Sequence, residues 1–114
     1  MIEVVVREFL KDKLKVDVFL EYPKDREKDD FIVLEKVGSS RENFLDSASI
    51  AIQSYGADMY KAAILNDRVK VAMETLVMDR RIGAVRLNSD YNFTDLEMKR
   101  YRYQAVFEIY YYNV

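Results

Sequence analysis

The sequence contains no histidine and no cysteine, and its 114 residues include only three glycines and one proline. Histidine is the commonest general base and metal ligand, so its absence argues against most acid–base and metal-dependent catalysis. Without cysteine the chain forms no disulfide and offers no thiolate to zinc or to a substrate. Three glycines that stand far apart cannot build a phosphate-binding loop. We therefore predict that the protein is not an enzyme and that it binds no cofactor and no metal.

The charges of the chain nearly cancel, because 18 basic residues and 20 acidic residues leave a net charge of −2. Such a balance provides no overall positive field to attract nucleic acid or an anionic membrane. No apolar run approaches the roughly 18 residues of a membrane span, and no basic region followed by an apolar core opens the sequence. Length and composition predict one globular domain, residues 1–114.

Two groups of polar residues are candidates for chemistry. Acidic residues recur in the run 24–30, and carboxylate oxygens can bind a hard cation. Basic residues alternate with them and the spacing of a calcium loop is absent, which favours a solvated charged loop. The serines at positions 39, 40, 47 and 49 have no histidine to activate them, so polar turn and strand positions are the better interpretation.

Periodicity predicts a helix followed by a strand at the start of the chain. Apolar side chains recur on one helical face in residues 2–13. Residues 16–22 alternate between apolar and polar, as in a strand, and this alternation puts Phe19 and Tyr22 on opposite faces. Pro23 ends the strand because it has no N–H to extend the ladder.

A hairpin is predicted next. Residues 31–37 have the length and composition of a strand, and residues 39–43 are turn-like. Alternation resumes with Ala48, Ile50 and Ile52 on one face. We expect the two strands to be antiparallel, with a loose connection.

The best-defined element is a helix that follows Gly56. Its apolar residues recur at spacings of three and four, as on a helix that packs against a core. They are Ala62, Leu65, Val69, Ala72, Met73 and Leu76. Asp58 is the predicted N-cap, and Lys70 is predicted to face solvent and to pair with Glu74 one turn later.

Two long strands, about 84–92 and 99–112, complete the chain and are joined by residues 93–96. The resulting order is α-β-β-β-α-β-β. It predicts an α+β fold with two main helices and a mixed, mostly antiparallel sheet.

The last strand alternates cations with aromatic rings, in the order Arg100, Tyr101, Arg102, Tyr103. Such a sequence could stack nucleic-acid bases and contact phosphates. Alternation, however, puts the arginines on one face and these tyrosines on the other, whereas a stacking platform needs both on one face. We favour an arrangement in which the tyrosine face covers the long helix and the arginine face contacts another protein, since exposed tyrosine and arginine are enriched at interfaces.

Four segments resemble the small tail-terminator proteins (tail-completion or minor capsid proteins) of long-tailed bacteriophages and prophages. They are residues 49–56 (SIAIQSYG), 85–89 (VRLNS), 91–95 (YNFTD) and 100–105 (RYRYQA). The similarity extends from about residue 16 to the end of the chain. It is a similarity of pattern, and it includes no catalytic residues.

The resemblance implies a structural virion protein that caps the tail tube as a ring, usually hexameric, and forms the tail side of the head–tail joining interface. The implied partners are further copies of the chain, the tail-tube protein and the head-completion (connector) protein, with a free subunit that can be monomeric. The implied location is the head-proximal end of the tail in the virion, and the bacterial cytoplasm during assembly. The alternative is a host-type protein-interaction or single-stranded nucleic-acid-binding module that uses the last strand. No membrane and no specific nucleic acid are expected as partners.

A closed ring needs two different patches on each subunit. We expect one patch on the outward side of the last strand, with Arg102 and Tyr110 as anchors. The charged loop 24–30 and the segment 39–46 are expected to supply the other patch or to reach the tail tube. The candidate interface residues are Arg100, Arg102, Glu108, Tyr110, Tyr112, Lys24, Arg26, Asp29, Asp30 and Arg41.

Overall fold

Two helices pack on one face of a five-stranded sheet in the part of the chain that the computed structural model describes, residues 1–24 and 30–112. The helices are α1 (Ile2–Leu14) and α2 (Met59–Met73), and a short 3-10 helix spans Leu76–Met78. The strands are β1 (Val18–Phe19), β2 (Phe31–Glu42), β3 (Leu45–Gly56), β4 (Ile82–Asn92) and β5 (Tyr101–Tyr111). The predicted α+β fold and element order α-β-β-β-α-β-β are therefore confirmed.

The strands lie in the order β1-β2-β3-β5-β4, so that β5 is inserted between β3 and β4. β1 runs parallel to β2, and every other neighbouring pair is antiparallel. The sheet is thus mixed and mostly antiparallel, as predicted. Neither described helix is long and apolar enough to cross a membrane.

The main core lies between the helices and the sheet. All six apolar residues predicted for the long helix are buried, and all of them except Ala62 belong to one core cluster with the inward residues of β3 and β5. Asp58 caps α2 as predicted, because its carboxylate accepts a hydrogen bond from the Lys61 backbone N–H at 2.8 Å. The predicted helix is too long, however: α2 ends at Met73, and Leu76 enters the core from the 3-10 helix.

Lys70 has different partners from the one predicted. Its Nζ lies 2.6 Å from the carboxylate of Asp90 on β4 and 3.2 Å from that of Asp67, whereas Glu74 was the expected partner. The side chain is only 29% exposed. The prediction was wrong because it considered the helix alone, and β4 lies close enough to supply a better-placed carboxylate.

The first strand is much shorter than predicted. Only Val18 and Phe19 pair with β2, instead of residues 16–22. After Phe19 the chain leaves the sheet, and Phe19 and Tyr22 then pack against the same aromatic cluster rather than on opposite faces. Alternation predicts which face of a sheet a side chain occupies only while the chain is extended in a strand. After Phe19 the chain is no longer part of the strand, so the prediction for Tyr22 fails.

The β2–β3 hairpin is longer and tighter than predicted. β2 continues through the expected turn, residues 39–43, as far as Glu42, and Glu42 pairs directly with Leu45. The connection is therefore a two-residue turn, Asn43–Phe44, rather than a loose loop. Residues 35–44 are all exposed, so this part of the hairpin has no buried face. It therefore has no apolar periodicity from which a strand could be predicted.

Candidate protein-interaction surface

One face of the sheet carries no helix in the described part of the chain, and we call it the open face. Cross-strand register and alternation assign its residues. They include Phe31, Val33, Glu35, Gly38 and Ser40 of β2, Ser47, Ser49, Ala51, Gln53 and Tyr55 of β3, Arg102, Gln104, Val106, Glu108 and Tyr110 of β5, and Ala84, Arg86, Ser89 and Tyr91 of β4. Antiparallel sheets can leave one face to solvent, but this face is rich in tyrosine at both ends.

Aromatic rings and two arginines gather at one end of the open face, which we call the aromatic–arginine cluster: Tyr22, Phe31, Tyr55, Phe93, Arg100 and Arg102. The rings of Phe31 and Tyr55 stack at 4.7 Å between centroids, and Tyr22 meets both edge-on. The Arg100 guanidinium lies 4.3 Å above the ring of Tyr22. Cation–π contacts of this kind hold a charged group over an apolar patch.

Arg102 is the most heavily engaged of the predicted interface residues. It donates hydrogen bonds to the Tyr55 hydroxyl at 2.8 Å and to the Phe93 carbonyl at 2.6 Å. Its guanidinium also lies 4.4 Å from the Phe93 ring. Arg102 therefore holds the cluster together within the subunit, so its replacement would disturb the fold as well as any interface.

The aromatic–arginine cluster places aromatic rings and arginines on one face, which is the arrangement that base stacking needs. Alternation predicted Tyr101 and Tyr103 on the opposite face from the arginines, and the register confirms that they lie on the helix side of β5. Tyr22, Tyr55 and Phe93, however, come from other segments to the arginine face. Tyr55 is only 4% exposed and arginines cover the rings of Tyr22 and Phe93, so these rings offer little free surface for base stacking.

Polar side chains occupy the middle of the open face and bond to one another. Gln53 donates to Gln104, which in turn donates to the Tyr91 hydroxyl. Glu108 accepts a hydrogen bond from Ser49 at 2.8 Å and one from Asn88 at 3.1 Å. Glu108, one of the candidate interface residues, thus accepts hydrogen bonds within its own sheet.

Tyr110 and Tyr112 lie at the opposite end of the open face, beside the turn of the β2–β3 hairpin. Together with Ser40, Glu42 and Asn43 they line a groove of about 570 Å³. We call residues 42–45 the hairpin tip. Its Phe44 is 85% exposed, more than any other large hydrophobic residue in the described part of the chain.

The other predicted interface residues do not form one patch. Lys24 and Asp30 are exposed, and the Asp30 carboxylate accepts a hydrogen bond from the Ala57 backbone N–H at 3.4 Å. Arg41 lies near the hairpin tip and contacts Asp46 across the ladder at 3.7 Å. Arg26 and Asp29 lie outside the described residues.

Sequence reasoning missed Phe44 and the aromatic residues that surround the arginines. The signal for Phe44 is the dipeptide Asn43–Phe44 between two segments of strand composition, because asparagine favours positive φ in tight hairpins. No local signal identifies Tyr55 or Phe93 as neighbours of Arg102. Their meeting depends on the strand order.

Within residues 1–24 and 30–112, no three acidic side chains are placed to hold a metal ion. In comparisons with known proteins, no family model matches the sequence and no curated protein matches it.

Proposed function

We propose that this protein is a structural ring subunit that caps the tail tube of a long-tailed bacteriophage or prophage and forms the tail side of the head–tail joint. The observation that supports the proposal is that two dissimilar patches, both rich in aromatic side chains, lie at opposite ends of an elongated subunit, which measures 44 × 24 × 22 Å. The resemblance of the four sequence segments to tail-terminator proteins supplies the biological setting.

The first patch is the hairpin-tip end, with Phe44, Tyr110 and Tyr112. The second lies at the other end of β3 and β5 and combines the aromatic–arginine cluster with the β4–β5 loop, where Leu96 is 76% and Met98 is 60% exposed. Two dissimilar patches suit head-to-tail contacts, and such contacts close into a ring when the rotation between copies permits it. Exposed aromatic side chains and arginine are the residues that dominate interface energetics.

The test is the capping of tail tubes assembled in vitro from the tail-tube protein of the same phage or prophage. With wild-type protein present, we expect tubes of limited length that carry a ring at one end in negative-stain images. Tyr110→Asp should lower the fraction of capped tubes because Tyr110 lies in the groove beside the hairpin tip. Tyr60→Asp is the matched control, since Tyr60 is 74% exposed on α2, away from the open face.

Both variants should keep the wild-type circular dichroism spectrum, so that loss of capping reports on the interface. Wild-type protein that never binds tube ends would overturn the proposed function. Equal loss of capping in both variants would overturn the choice of the open face as the interface.

A further inference from the structure

The hairpin tip places a bulky aromatic residue where the backbone favours glycine. Asn43 and Phe44 are the two central residues of the turn, and their φ angles are 52° and 66°. Positive φ at both positions defines a type I′ turn, whose second position is ordinarily glycine. A side chain with a Cβ is strained in this conformation, and asparagine tolerates it better than phenylalanine does.

In the free subunit, burial of the Phe44 side chain does not compensate for the strained backbone. The Phe44 side chain is 85% exposed, and it belongs to neither buried cluster of the described residues. Phe44 is thus unfavourable in two ways: its backbone is strained, and its apolar ring is in contact with water. Strain that persists at an exposed site points to a role outside the fold of the single subunit.

We infer that Phe44 is the anchor by which one copy of this chain docks on the aromatic–arginine cluster of the next copy. The inference rests on the proposed ring function and names the contact that would join its subunits. It makes the hairpin tip the donor and the opposite end of the open face the acceptor.

The acceptor is a concavity of about 410 Å³ beside the cluster, lined by Leu20, Tyr22, Tyr55, Arg100 and Arg102 among others. Leu20 is 44% exposed there and offers apolar surface. An incoming phenyl ring would meet the Leu20 side chain and the Arg100 guanidinium that covers the Tyr22 ring. This combination suits an aromatic anchor, because arginine binds ring faces as well as carboxylates.

Charge complementarity favours a second copy as the occupant. Glu42 lies beside Phe44 in the hairpin tip and brings a carboxylate with the ring, while the acceptor holds Arg100 and Arg102 together with the carboxylates of Glu21 and Glu35. Arg100 is the group that Glu42 would meet, because the Arg102 guanidinium is already bonded to Tyr55 and Phe93. The two sites cannot meet within one chain, because the eleven steps of β3 from Leu45 to Gly56 separate them by roughly 35 Å. A donor and an acceptor at opposite ends of one subunit define a head-to-tail contact.

The free sheet edges are less suited to this contact. A register shift interrupts β2 between Lys36 and Gly38, and another interrupts β4 between Leu87 and Ser89. Bulges of this kind hinder edge-to-edge pairing.

The first experiment separates folding from assembly at Phe44. Phe44→Gly and Phe44→Asn should raise the urea midpoint of the free subunit, by about 0.5 M for glycine, because they relieve the strained backbone. The same variants should raise the protein concentration needed for half-maximal capping by about tenfold or more, since they remove an aromatic anchor. Val37→Asn is the matched control: Val37 is 56% exposed on the same hairpin but lies away from the tip, and it should leave capping unchanged.

The second experiment identifies the acceptor. A photo-crosslinking phenylalanine analogue at position 44 should join the tip to peptides that contain Tyr22 or Arg100. A mixture of isotope-labelled and unlabelled protein should show that the two peptides come from different copies. The reaction is run on capped tubes and also on concentrated free protein. In parallel, Arg100→Glu should weaken capping, and the double variant Arg100→Glu with Glu42→Arg should restore it.

The outcomes distinguish this contact from the proposed function. Capping by wild type with crosslinks only to the tube protein would overturn the contact and leave the function standing. Failure of wild type to bind tubes, together with crosslinks between copies of the free protein, would overturn the function and support the contact. Absence of crosslinks between copies in both settings, or normal capping by Phe44→Gly, would overturn the contact.

Discussion

Asp90 ties β4 to helix α2, and its removal should destabilise the protein far more than its surface position suggests. Its side chain is 27% exposed. One carboxylate oxygen accepts a hydrogen bond from the amide of Asn66 at 2.7 Å, and the other lies 2.6 Å from Lys70 Nζ. Asn66 itself is 2% exposed, so its amide donor has little access to water when Asp90 is removed.

The magnitude follows from these two contacts. A hydrogen bond from a buried amide to a charged acceptor contributes roughly 1.5–3 kcal/mol, and a partly exposed ion pair contributes roughly 0.2–1 kcal/mol. We therefore expect Asp90→Ala to lower the free energy of unfolding by roughly 2–4 kcal/mol. Asp90→Asn keeps an oxygen for Asn66 and loses the charge, so it should lower that free energy by roughly 1 kcal/mol.

The effect should depend on pH in a defined direction. Partial burial raises the pKa of Asp90, but the hydrogen bonds from Lys70 and Asn66 outweigh it, and the pKa lies below its ordinary value. The Asp90 hydrogen bond raises the pKa of Lys70. A lowered carboxyl pKa gives stability that is full above the unfolded pKa and is lost as pH falls through the folded pKa. The difference between wild type and Asp90→Asn should be constant from about pH 5 to 9 and should shrink below about pH 4.

Urea unfolding followed by circular dichroism measures each of these changes. Asp67→Ala is the matched control, because Asp67 contacts the same lysine from a 70% exposed position, and its loss should lower the free energy of unfolding by at most about 0.5 kcal/mol. If Asp90→Ala and Asp67→Ala have equal effects, the tether between β4 and α2 does not stabilise the fold. An Asp90→Asn effect that grows at low pH would contradict the sign of the pKa argument.

Three further predictions concern the core, the glycines and nucleic acid. Leu65→Ala should lower the free energy of unfolding by roughly 2–5 kcal/mol, because Leu65 is buried. Ile64→Ala, at a 43% exposed position next to it, should lower that free energy by about 1 kcal/mol or less. Equal urea midpoints for the two variants would contradict the assignment of Leu65 to the buried face of α2. Gly56→Ala should destabilise by roughly 1–3 kcal/mol because its Cβ would lie 2.5 Å from the Ala62 backbone nitrogen, while Gly38→Ala, with its nearest neighbour at 4.0 Å, should change stability by about 0.5 kcal/mol or less. Fluorescence anisotropy with short single-stranded DNA near physiological salt should show weak or no binding; sub-micromolar, strongly salt-dependent binding would favour the nucleic-acid alternative.

The sequence by itself predicted the elements whose side chains face one continuous core. The spacing of Leu65, Val69 and Met73 identified α2, and the aspartate before it identified the cap. Alternation in β3 identified which of its residues face the helices. These patterns are local, because one buried face imposes its period directly on consecutive residues.

The same reasoning failed or stayed incomplete where no single buried face imposes a pattern. β1 was predicted too long because alternation continues after the chain has left the sheet at Phe19. The outer half of the hairpin was predicted as a turn because it is exposed on both faces and so has no apolar period. Lys70 was paired within its own helix because the carboxylate on β4 is twenty residues away in sequence.

Only the tertiary structure decided which other side chains join the predicted arginines and tyrosines in the candidate interface. Strand order brings Tyr55 of β3 beside Arg102 of β5, and the departure of the chain after Phe19 brings Tyr22 over the same surface. The two-residue turn presents Phe44 at the far end of the sheet. Periodicity states which face a residue occupies, but pairing between distant strands depends on the free energy of the whole fold, so contacts across strands cannot be deduced from local pattern.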